Sequence, residues 1–258
     1  MIKIVFKVDH LILLRKLLGT NEIFAKKLWN SKKYNPAYRA VIGHRLQTME
    51  GVNHVKEFID HCLVNKEFIK HLRAAQKFME ELKQEWNSKR NIVEKIIKDI
   101  TGLTINDTYT VFITPPYLFS GFTDSFLKNT IVYGHYDDCN NYNIIYLVHE
   151  IFHCILPMGD ISHSIQQLAI DNELRCRLHK YDLENKNVKI QHPNPEGMIK
   201  DDIKYTPKTF IGHRVLYPLM EKILPYWRKY LENDKKNILA FNKKMMKVFS
   251  EYANKNST

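Results

Sequence analysis

Three observations predict an α+β fold that is predominantly helical. Helical apolar periodicity runs through most of residues 21–101 and returns near the C-terminus at about 213–232 and 234–252. Three short runs have strand character instead, at 2–8, Thr108–Thr114 and Asn129–Tyr133. A chain of 258 residues with 44% hydrophobic content can bury a large core, and no linker-like tract divides it. The expectation is one composite domain over 1–258, mostly helical at 1–105 and carrying the chemistry at 106–258. Its small sheet, mixed or antiparallel, packs on two central helices, with extra helices at both ends.

Residues 2–8 alternate Ile2, Ile4, Phe6 and Val8 with Lys3, Val5 and Lys7, the two-residue period of a half-buried strand. From Asp9 the pattern is helical, with Leu11, Leu14 and Leu18 on one stripe and Gly19 as a stop. Asn30-Ser31, Asn35-Pro36 and Gly51 punctuate the helices that follow. Thr108–Thr114 is β-branched and aromatic, and Pro115-Pro116 ends it. A loop through Ser120-Gly121 leads to the strand at Asn129–Tyr133, closed by Gly134. A turn at 137–141 offers several N-caps to a helix that runs to Leu156 and stops at Pro157-Met158-Gly159. A further helix covers about Ser162–His179, and a loop at Gln191–Gly197 precedes the two C-terminal helices.

Composition narrows the function classes. Mean hydropathy is −0.38, and no run of 18 apolar residues occurs, which excludes a spanning helix. The first residues lack the continuous apolar stretch and cleavage site of a secretory signal, so a cytoplasmic setting is expected. Four scattered cysteines, Cys62, Cys139, Cys154 and Cys176, fit reduced thiols better than a disulfide framework. Lys and Arg number 39 against 28 for Asp and Glu, a net charge of +11 that would suit nucleic acid or an acidic partner. The lysines are dispersed along solvated helix faces, however, so charge alone does not assign a partner.

The chemistry concentrates at His149-Glu150-Ile151-Phe152-His153, an HExxH segment. On a helix, residues four apart share a face, so His149 and His153 can offer two imidazoles to one metal ion. Glu150, one position round, can reach a metal-held water without taking a coordination position. Zinc suits these ligands and lowers the pKa of such a water to about 7, where a carboxylate can take its proton. Ile144, Ile145, Leu147, Val148, Ile151 and Phe152 make the helix apolar nearly all round, and His149, Glu150 and His153 interrupt a surface that should be buried. Burying three such groups without partners costs several kcal/mol, which a metal would offset.

Two histidines need a third protein ligand. The spacing HExxHxxGxxH fails, because Leu156 and Gly159 stand where glycine and histidine are required. His163, ten residues past His153, is one candidate; Glu173, 20 residues past it, is another. HEIFH followed after 19 residues by Glu173 resembles the gluzincin zinc metallopeptidases of the thermolysin type, over about residues 129–178. The resemblance implies a zincin-like catalytic part, with one zinc per chain held by His149, His153 and Glu173 on a second, glutamate-bearing helix. It also implies Glu150 as the general base and acid of peptide hydrolysis. The strand at Asn129–Tyr133 is similar to that family's edge strand, which pairs with extended peptide. Arg177 stands where the family often has an aspartate that orients the first histidine, leaving Asp171, Asp160 or Asp138 for that task. An oxyanion donor is sought in His213, with Tyr205 and Tyr217 behind it, while His135 and Tyr136 could line the cleft.

Two other readings fit a cytosolic HExxH chain. Regulatory metalloproteins of the ImmA/IrrE type, which act on a transcriptional repressor, are similar in size and setting, although no helix-turn-helix signature stands out. A non-enzymatic binding protein stabilised by zinc would need a fourth ligand, with Cys154 or Cys176 of the right type. Cys154 directly follows His153 and points about 100° away from it. An open coordination position is therefore the stronger expectation, with a peptide or protein as substrate.

Overall fold

A computed structural model of the chain describes residues 1–20, 49–118, 121–123, 128–135, 141–185 and 205–255. Strand β1 (Lys3–Lys7) and helix α1 (His10–Thr20) open the chain. The Asp9 carboxylate caps α1 by accepting from the amides of Leu11 and Ile12, both at 2.9 Å. Gly19 does not stop α1, and Gly51 lies inside α2 (Met49–Leu63) rather than between helices. The breaks expected at Asn30-Ser31 and Asn35-Pro36 lie outside the described residues, as does the loop at 191–197.

Helix α3 (Lys66–Thr101) has 36 residues and a length of about 54 Å at 1.5 Å per residue. Asn65 caps its start by accepting from the Glu67 amide at 2.9 Å. One buried stripe of Phe68, Ala75, Phe78, Leu82, Trp86, Val93, Ile97 and Ile100 runs along it. Gly102 ends α3 in the left-handed conformation, with φ at 73°. A Cβ at this position would lie 2.0 Å from the backbone oxygen of Lys236 in the C-terminal part. Gly102→Ala is therefore expected to cost on the order of 2 kcal/mol or more, read as a lower urea midpoint, because the backbone conformation and the contact both oppose it. An unchanged midpoint would mean that the 102–236 contact is not made.

The remaining elements are β2 (Thr108–Ile113), β3 (Gly121–Thr123), β4 (Thr130–Tyr133), α4 (Tyr142–His153) and a continuous helix from Asp160 to Glu184. That helix consists of α5 (Asp160–Gln166), a π segment (Gln167–Leu174) and α6 (Arg175–Glu184). Helices α7 (Tyr217–Glu232) and α8 (Ile238–Lys255) follow two short 3-10 turns. The sheet order is β1-β2-β4-β3. β1 and β2 pair in parallel, as do β2 and β4, and only the short β3 runs antiparallel, against β4. The class is thus α+β and mostly helical; of the two expected sheet types the sheet is the mixed one, largely parallel with one antiparallel pair, and the antiparallel alternative is corrected. The physical reason is connectivity: β1 reaches β2 only after α1–α3, a crossover long enough to return the chain in the same direction. A second correction follows from the order. β4 is an interior strand, and β3, in the segment read as a loop, takes the edge beside it.

Tyr109, Val111 and Ile113 of β2 and Ile131 and Tyr133 of β4 enter one core with α3 and α4, and that core draws on residues from Ile2 to Met245. A smaller cluster joins Leu13, Leu14, Leu17 and Leu18 of α1 to Phe58, Cys62 and Phe68. No disulfide joins the described cysteines. Among the described residues, no helix is long and apolar enough to cross a membrane.

Candidate metal centre

Helix α4 lies in the middle of the core, and every residue from Asn143 to Phe152 except Tyr146 is buried. Its start is tied at Asn141, whose side-chain amide donates to Asp182 Oδ2 on α6 at 2.7 Å and accepts from Lys89 Nζ on α3. Lys89 Nζ itself lies 3.1 Å from Asp182 Oδ2. The orientation of α4 is thus set by a buried polar junction between two other helices. With α4 so placed, His149 and Glu150 are almost fully buried and His153 is half-buried at the C-terminal turn.

The helix from Asp160 to Glu184 packs against this face. Gln166 Nε2 donates to the backbone oxygen of His149 at 2.8 Å. His163, Gln167 and Asp171 follow one another at four-residue intervals; His163 and Asp171 meet the two ring nitrogens of His149, and Gln167 Nε2 lies 3.4 Å from His163 Nε2. The Asp171 carboxylate, 4% exposed, lies with both oxygens 3.0 Å from His149 Nδ1. His149 Nε2 is 3.1 Å from His153 Nε2 and 3.2 Å from His163 Nε2. Among the described residues, two groups of side chains bring ligand atoms within 4.8 Å of one another: His149 with Glu150 and His153, and His149 with His163 and His213. His149 belongs to both.

The protonation states follow from this packing. Burial works against a charged His149, but the Asp171 carboxylate, with a further contribution from Glu150, outweighs it and raises its pKa. Burial, then the neighbouring His149, pushes His153 down to about 4, and the same causes with His153 and His213 push His163 down to about 3. His213 is lowered by burial and His149, with Asp171 opposing. Near neutral pH, His153 and His163 therefore present neutral imidazoles.

Such an arrangement fits a metal ion. With Nδ1–H of His149 held by Asp171, its Nε2 can carry at most one proton for the two Nε2 atoms facing it, and the Gln167 Nε2 amide stands 3.4 Å from His163 Nε2. Converging lone pairs repel unless a cation is shared. Two nitrogens about 2.05 Å from a zinc at the tetrahedral angle lie roughly 3.3 Å apart, close to the separations found. In such a centre Asp171 would do what carboxylates beside metal-binding histidines do, which is to fix the tautomer and the ring plane. Asp171→Asn should weaken zinc binding by about 10–100-fold in a competition titration with a chromophoric chelator, and undiminished affinity would show that the contact does not orient His149.

Glu173 is not brought to the histidines. Its Oε1 accepts from Arg177 Nε at 2.7 Å, and it also bonds the Tyr205 phenol, which accepts from Trp227 Nε1 at 2.5 Å. Residues two apart on a helix do not share a face, so a helix that turns Asp171 toward His149 turns Glu173 to the side. Of the three aspartates weighed for orienting His149, Asp171 takes the position; Asp160 is exposed at the start of α5, and Asp138 lies outside the described residues. Tyr217 is engaged elsewhere, donating to the backbone oxygen of Phe210 at 2.7 Å. Cys176 is buried on α6, and Cys154 Sγ contacts the Glu150 backbone oxygen at 3.9 Å. His135 lies tilted against Tyr142 and Tyr146, and Tyr146 lies parallel to His149 at 5.5 Å between ring centroids; Tyr136 is outside the described residues. Sequence reasoning missed Gln166, Gln167 and Asn172. The four-residue repeat His163-Gln167-Asp171 is the signal that could have found one of them.

Comparison with known protein families, curated proteins and solved structures finds no match for this chain.

Proposed function

We propose that this protein is a metal-dependent hydrolase, with zinc as the metal and a peptide or protein as substrate. His149, His153 and His163 would hold the ion, so the third ligand passes from Glu173 to His163. The observation that carries this reading is His149 Nε2, flanked by two further Nε2 atoms at 3.1 and 3.2 Å while Nδ1 is committed to a buried carboxylate. When bound, the metal would polarise a carbonyl and acidify water.

The chain's own groups would carry the proton work. Glu150 is 3% exposed, and its carboxylate lies within 4.8 Å of the His149 and His153 nitrogens. From there it can accept a proton as water attacks the scissile carbonyl and deliver it to the leaving amine. Burial of Glu150 keeps bulk water from the carboxylate. Asp171 keeps His149 in the tautomer that leaves Nε2 a ligand. The +11 charge has no evident part in this chemistry. A repressor-directed protein of the ImmA/IrrE type would use the same metal chemistry, with one protein as its substrate.

Metal analysis of the full-length chain after dialysis, combined with cleavage of a broad peptide library, tests the reading. About one zinc per chain and cleavage that is lost to a chelator and regained with zinc are expected. A chain that takes up no metal would end it.

A further inference from the structure

Three imidazoles of the proposed centre stand on helices and are buried or half-buried, whereas a fourth, His213, arrives on a loop and is exposed. Its ring centroid lies 4.8 Å from that of His163 and 6.1 Å from that of His149.

The approach is built by the fold. Asn172, fully buried on the π segment, grips both backbone groups of Ile211: its Nδ2 donates to the Ile211 oxygen at 3.1 Å, and its Oδ1 accepts from the Ile211 amide at 3.0 Å. The Tyr217 phenol holds the Phe210 oxygen. Gly212, at φ 121°, lies so close to the π segment that a Cβ would sit 2.6 Å from Gln167 Oε1 and 3.0 Å from Asp171 Oδ2. These contacts press residues 210–212 onto the metal face, and His213 is the next residue. Beyond it the packing loosens, because Arg214 and Val215 are both exposed. The His213 ring can therefore rotate away without disturbing a helix, unlike the other three.

We propose that His213 is an exchangeable fourth nitrogen ligand of the resting centre. With four protein nitrogens the centre is closed, and release of His213 opens the position that a substrate oxygen or water needs. Metal retention and reactivity are thereby separated: the helix-borne histidines hold the ion, and the loop-borne histidine guards it. The inference rests on the metal reading above and gives that site a regulation of its own.

Cobalt(II), visible where zinc is silent, is the probe. The full-length chain and its His213→Ala variant are loaded with cobalt, and their visible spectra are recorded alone and during azide titration. The substitution removes an exposed side chain and spares the core. Both proteins should hold about one cobalt, but the variant should show a shifted ligand-field spectrum and bind azide at least ~10-fold more tightly. Superimposable spectra with equal azide affinity would overturn the proposal. A variant that loses cobalt altogether would also overturn it, since His213 would then be a permanent ligand. If neither protein takes up cobalt while both remain folded by circular dichroism, the metal reading fails first, and this one with it.

Discussion

Glu150→Gln is expected to retain about one metal per chain while peptide cleavage falls about 10²–10⁴-fold, which corresponds to about 3–5 kcal/mol in the barrier. Glutamine keeps the length and shape of glutamate but cannot take a proton, so the packing around a residue that is 3% exposed should survive. The fall should appear in kcat, because Glu150 acts on the proton in flight and leaves substrate binding to other groups. Metal content by atomic emission, a melting curve and steady-state kinetics on one library-derived peptide are sufficient. Full activity in the variant would remove Glu150 from the mechanism. Loss of metal together with activity would instead make Glu150 a ligand, an assignment that its place in one group with His149 and His153 makes worth testing.

The second large effect distinguishes the two candidates for third ligand. His163→Ala removes a nitrogen 3.2 Å from His149 Nε2 and should weaken zinc binding by more than the 10–100-fold typical of a supporting residue. Glu173→Ala should leave zinc binding intact and lower stability by about 1–3 kcal/mol, because it strips a partner from Arg177 and from the half-buried Tyr205 phenol. The two variants differ in a thermal melt with and without zinc. The zinc-induced rise in Tm should vanish in His163→Ala and persist in Glu173→Ala. The opposite pattern would return the ligand role to Glu173.

The contrast between His163 and Glu173 shows where sequence reading stops. The HExxH helix was legible because a helical period and two titratable residue types interrupting an apolar surface are local properties. His213 was singled out among the candidates, and the structure brings it to the same cluster. The choice between His163 and Glu173 was another matter, since it depends on which side of the second helix meets α4. In its centre that helix is a π segment, from Gln167 to Leu174, with one more residue per hydrogen-bonded turn than an α-helix. Faces projected with a 3.6-residue period drift across such a stretch, and no residue in QLAIDNEL announces it. Asp171 and Glu173 are equally acidic in the sequence, and the packing alone turns the first to His149 and the second to Arg177.

The sheet divides in the same way. Alternation and β-branching marked the strands at 3–7, 108–113 and 130–133, but strand order and direction belong to pairings between residues a hundred apart, such as Ile4 with Tyr109. A strand interior to the sheet has the same local pattern as an edge strand. By itself, then, the sequence determined an α+β class, a buried helix carrying His149, Glu150 and His153, and a probe list that included His163, Asp171 and His213. Tertiary structure decided which of those groups converge, because convergence comes from long-range contacts: Asn141 with Asp182, Gln166 with the His149 carbonyl, and Asn172 with Ile211. Each is a hydrogen bond between buried or partly buried groups that the local pattern leaves without a partner, and satisfying all of them at once leaves few ways to dock the helices.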